Sequence, residues 1–217
     1  MPARPSRDER GGSEFDRALS FFDATFALAL TLLVTTLDVG TETRVWSSLA
    51  NLNDAVGSQA VAFVISFIVI GAYWYGNHRF VAQLDALDGR LIVVELAMIA
   101  SIVILPFSTE VVGDPTIANE PLPVAVYALN IAIVSMLDTL LSVTAYRRGL
   151  FAHPPSPSYH RADVIDSVLP AIVFLASVPL AYLWSPIGAR YSWIALVLIG
   201  PATGRWKERR ATLSRSA

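Results

Sequence analysis

Six apolar stretches, each reaching or approaching the length needed to cross a bilayer, leave this chain few possible folds. A spanning helix needs about 20 residues. The stretches run over about 17–37, 58–75, 90–109, 122–146, 162–184 and 189–203. Inside hydrocarbon the backbone must satisfy its own hydrogen bonds, so only helices and closed barrels span it, and runs this long are helices. Over 217 residues, 54% hydrophobic content against 16% charged is too apolar for an ordinary soluble domain. The expected fold is an all-α integral membrane protein of six transmembrane helices. It divides into a polar tail at 1–16, a helical domain at 17–206 and a basic tail at 207–217.

The basic residues orient the helices. If both termini are cytoplasmic, the inner segments hold fourteen Lys and Arg, among them Arg4, Arg79, Arg90, Arg147, Arg148 and Arg210, while the outer connections hold only Arg44 and Arg190. That asymmetry follows the positive-inside rule and requires an even number of spans. It places the protein in the cell membrane as a multi-pass protein, in contact with lipid, with both ends inside. The first apolar run is too long for a cleavable signal peptide and has no clean small-residue cleavage site.

The run from Arg17 to Thr35 carries ionisable residues at its entrance, Arg17 and Asp23. Charge at the edge of a span usually has a partner or a task. At 100° per residue, Ala24, Leu28, Thr31, Leu32 and Thr35 share a stripe about 100° wide, while Phe22 and Phe26 point elsewhere. Such a stripe suits either a close helix–helix contact or the lining of a narrow pore; we read it as pore lining, with Ala24 and Thr31 on the wall. By themselves, Arg17 and Asp23 read equally well as a snorkelling side chain and a group hydrogen-bonded near the helix start.

These residues also carry a likeness. Arg17, Phe21, Asp23 and Thr31 resemble the first-helix signature of the transmembrane protein 175 family of endolysosomal and prokaryotic potassium channels, with Phe22 standing where the family usually has Ser. Trp74 and His78 resemble its second-helix pattern, and Leu105 to Thr109 its third-helix end, where Pro and a hydroxyl break the helix at the outer surface. The resemblance covers spans one to three. It implies a homotetrameric potassium-permeable cation channel, with K⁺ as permeant ion and the first helix of each copy around a central pore. It implies a constriction at Leu28, Leu32 and Thr35, and a polar network of Arg17, Asp23 and His78 that supports the pore helix without touching the ion.

Other residues point to fewer possibilities. Glu95 lies about one turn into the third span and Asp138 midway along the fourth, so a proton-coupled secondary transporter relaying through Asp138 and Glu95 is the alternative. No internal repeat pairs the two halves as such transporters usually do. With no cysteine and three histidines, at 78, 153 and 160, no metal site or cofactor is expected. His153 and His160 fall in a Pro-rich connection and are expected to be solvated. No phosphate loop, nucleophile elbow or Thr-Val-Gly-Tyr-Gly filter occurs, so an enzyme is not expected. The basic tail directly follows a span, which suits anionic lipid headgroups rather than nucleic acid.

Overall fold

The computed structural model describes residues 7–193. Five helices in it are long and apolar enough to cross a membrane. They are α1 (Ser13–Leu32), α2 (Leu49–Val81), α3 (Gly89–Gly113), α4 (Pro121–Arg148) and α5 (Pro157–Leu183). A further helix begins at residue 186 and continues to 193, so the body of the sixth span and the tail at 207–217 lie outside the described residues. The protein is an all-helical, multi-pass membrane protein.

Local chemistry sets the helix ends. Ser48 and Asp88 cap α2 and α3 by accepting from the amides of Asn51 and Leu91, and Pro121 and Pro157 open α4 and α5 where a missing N–H costs nothing. Gly149 ends α4 in the left-handed conformation (φ +62°), which a residue without Cβ adopts freely. Helix α2 starts nine residues before the apolar run suggests, because the polar stretch Leu49–Gly57 continues the same helix. Helix α3 runs on through Pro106 to Gly113 instead of breaking at Leu105–Thr109. Beyond the proline, Ser108 and Thr109 donate their hydroxyls to the Leu105 carbonyl at 3.0 and 2.7 Å.

Helices α3 and α4 form the centre of the subunit, each half buried along its most apolar window, against 22% for α1 and 11% for α2. Helix α5 packs on the far side of α4, and α1 packs on α2 and α3. Small and hydroxylic side chains knit the centre together, as bilayer packing favours. Ser66 of α2 hydrogen-bonds with the Thr109 hydroxyl oxygen at 2.7 Å and with the Tyr127 hydroxyl at 2.9 Å, while Asn130 donates to Ser108 at 3.1 Å. Gly113 lets α2 come close, since a Cβ there would sit 3.2 Å from the Gln59 Cα.

At one end of the bundle three connections are stitched by backbone pairing. Strand β1 (Arg7–Glu9) lies antiparallel to β2 (Ala86–Asp88), with Asp8 opposite Leu87. The Asp85 N–H donates to the Leu150 carbonyl at 2.8 Å, and Ala152 returns a bond to Gln83 at 3.0 Å. The polar segment 1–16 is therefore not a tail throughout: residues 7–9 are strand and 13–16 are the first turn of α1. Asp88, fully buried, pairs with Arg148 across this end.

Candidate functional site

Helix α1 separates two faces. Phe15, Phe22, Phe26, Ala29 and Leu33 are buried against the rest of the subunit. Ala24, Leu28, Thr31, Leu32 and Thr35 are exposed, and helical geometry places their stripe about 140° from the buried one. Large apolar side chains stand open here, with Leu28 56% and Leu32 37% exposed. Phe22, where a Ser is usual, fills the subunit core and leaves the open stripe untouched.

After Leu32 the helix tightens into a 3₁₀ turn at Leu33–Thr36. Thr31 and Thr35 donate their hydroxyl protons to the carbonyls of Leu28 and Leu32, at 2.8 and 2.7 Å. A hydroxyl that donates to its own helix keeps its lone pairs for a cation. The stripe thus presents two leucines and two hydroxyl oxygens in alternation.

The supporting network differs from the expected one. Asp23 accepts from the Trp74 indole N–H at 3.0 Å, and Trp74 stacks on His78 with ring centroids 5.7 Å apart. Asp23 and His78 are thus joined through Trp74, which the sequence reading did not count as a site residue. Arg17 forms an ion pair with Glu14 instead, at 3.1 Å, with both side chains largely exposed. Six residues along a helix turn the side chain by about 240°, so Arg17 and Asp23 point to different sides. Trp74→Phe keeps the stacking and removes the donor. It is expected to cost about 1 kcal/mol, and Asp23→Ala added to it should cost almost nothing more, checked by a double-mutant cycle of thermal unfolding in detergent.

Glu95 is buried in α3 and accepts from the Asn77 amide at 2.7 Å. Tyr73 pairs with Ser135 one turn of α2 away. His160 is not in the solvated connection; it sits in the first turn of α5, with its ring 3.9 Å from that of Tyr146. Among the described residues no group of three His, Cys, Asp or Glu is placed to hold a metal ion.

The family model for the endosomal/lysosomal potassium channel TMEM175 matches residues 17–106, the segment that bears this site. Over α1, α2 and most of α3 the chain is thus similar to the TMEM175 family. A Chryseobacterium potassium channel is 26% identical over 125 residues, 58% of this chain and 62% of its own length. A Streptomyces collinus potassium channel is 26% identical over 181 residues, 81% of this chain and 86% of its own. The rat endosomal/lysosomal proton channel TMEM175 is 24% identical over 82% of this chain and 38% of its own length. The chain thus spans less than two thirds of the Chryseobacterium and rat relatives. Among solved structures, a potassium-selective TMEM175 homologue from Chamaesiphon minutus matches with a TM-score of 0.70 at 20% identity, over 88% of this chain and 98% of that one. At that identity the likeness concerns the fold, and it reaches beyond the first three helices.

Proposed function

We propose that this protein is a passive potassium-permeable channel, assembled as a homotetramer with α1 of each copy around the axis. The observation that carries this reading is the exposed stripe Ala24, Leu28, Thr31, Leu32 and Thr35, left open by the subunit's own packing. One helix cannot enclose a pore, and closed cyclic assembly is the common way to bring several copies together. The potassium channels of Chryseobacterium and Streptomyces among its relatives supply the ion.

In this assembly Leu28 and Leu32 form stacked apolar rings, with Thr35 completing the constriction. Apolar rings that close on one another expel water and bar ions; widening them rehydrates the path. Thr31 and Thr35 oxygens replace part of a cation's hydration shell as it passes. Asp23, Trp74 and His78 hold α1 against α2, and Arg17 with Glu14 sits at the mouth, both termini being cytoplasmic. No cofactor takes part, and K⁺ enters as the transported ion.

Purified protein in liposomes loaded with K⁺ tests the reading. Efflux of K⁺ faster than of Na⁺, with no pH gradient imposed, is the expected result. Flux that appears only with a pH gradient would instead assign the work to a proton-coupled carrier using Glu95 and Asp138.

A further inference from the structure

A cavity lies away from the exposed stripe of α1, at the opposite end of the bundle from the paired strands. It encloses about 370 Å³ between the start of α2, the end of α3, the α3–α4 connection and the helix beginning at residue 186. Its walls are mostly apolar and aromatic, with Val61, Ile65 and Val112 on one side and Tyr127 and Trp193 on the other. The aromatic wall is fixed in place: Trp193 stacks on Tyr127 at 4.9 Å and donates its indole N–H to Ser177 at 2.9 Å.

One cation projects into this space. Arg190 uses Nη2 to donate to the Ala118 carbonyl at 3.0 Å, while its Nε is buried with no hydrogen-bond partner among the described residues. Among the described residues, no Asp or Glu lines the cavity. A buried donor on a charged group is costly to leave unmade, and a guanidinium edge is shaped to hold a phosphate or carboxylate through two oxygens. Val61, Ile187 and Tyr191 at the rim are exposed, so the cavity opens between α2 and the 186–193 helix.

We propose that this cavity binds an anionic membrane lipid, with the headgroup phosphate on Arg190 and an acyl chain along the apolar wall. Two features select that occupant together: a guanidinium that needs an anion, and an apolar volume that a free anion would leave empty. The cavity shares no residue with the exposed stripe of α1.

Native mass spectrometry of the assembled full-length protein provides the test, using phosphatidylglycerol, phosphatidylcholine with the same chains, and inorganic phosphate as separate probes. The wild type is expected to retain phosphatidylglycerol at least about tenfold more strongly than phosphatidylcholine, whose choline cation already cancels the charge of the phosphate that meets the guanidinium. Arg190→Gln should lose that preference and Arg190→Lys should keep much of it. Val61→Trp, which fills the apolar part and leaves the guanidinium in place, should lose phosphatidylglycerol as well. Unchanged phosphatidylglycerol retention in Arg190→Gln overturns the proposal. Inorganic phosphate binding as tightly as the lipid overturns the lipid as occupant. If Arg190→Gln does not fold, Val61→Trp decides alone, and undiminished retention there rejects the site.

Discussion

Replacing Leu28 and Leu32 by alanine is expected to raise K⁺ flux on the order of tenfold, the rate change that accompanies a barrier lower by about 1.4 kcal/mol. Both side chains are open in the subunit, so their loss removes little internal packing and acts mainly on the apolar rings of the proposed pore. Leu33→Ala is the matched control on the same helix. Leu33 is fully buried, and its truncation should cost about 2–5 kcal/mol of stability without raising flux. Liposome efflux and thermal unfolding, measured side by side, separate the two faces. Equal behaviour of Leu28→Ala and Leu33→Ala in both assays would remove the distinction on which the pore rests.

Asp88→Ala is expected to destabilise the fold by about 2–4 kcal/mol, because it removes a charge-assisted contact to Arg148 and uncaps α3 together. Burial by itself would raise the Asp88 pKa, but the Leu91 amide and the Arg148 guanidinium outweigh it and hold the carboxyl below its ordinary value. A carboxyl with a depressed folded pKa contributes stability that is present above the unfolded value of about 3.9 and is lost as pH falls through the folded one. Wild type should therefore lose more stability than Asp88→Asn between about pH 5 and pH 2, read as the change in melting temperature. Identical acid profiles would show that Asp88 carries no such pairing. The same end of the bundle joins the segment before α1 to the α2–α3 connection, so loosening it should also reach the first helix.

The helices were legible because each is a long apolar run, and the bilayer permits no other use for one. The two faces of α1 were legible for a related reason: 3.6-residue periodicity fixes which side chains share a side before any neighbour is known. Strands of three residues have no such periodicity, and Arg7–Glu9 is a strand only because Ala86–Asp88 lies beside it. The Trp74 bridge between Asp23 and His78 depends on how α1 and α2 meet, which spacing along one helix does not encode. The place of Arg17 was readable in part, since six residues turn it away from Asp23, and Glu14 three positions earlier is a natural partner. The persistence of α3 through Pro106 was hidden because a proline reads as a helix end along the sequence, whereas a packed membrane helix accommodates one within its length. Arg190 read simply as an outer basic residue; only the packing of α2 against the last described helix encloses it.

Cysteine accessibility along α1 tests the central claim most directly, because the chain has no cysteine of its own. Leu28→Cys, Thr31→Cys and Thr35→Cys each place a thiol on the exposed stripe, and Ile172→Cys places one on the 58% exposed outer side of α5. A small cationic methanethiosulfonate reagent should reduce K⁺ efflux through the three α1 variants and leave the Ile172→Cys variant unchanged. Active α1 variants that react without loss of flux, or an equal loss at Ile172→Cys, would contradict a pore lined by the first helix.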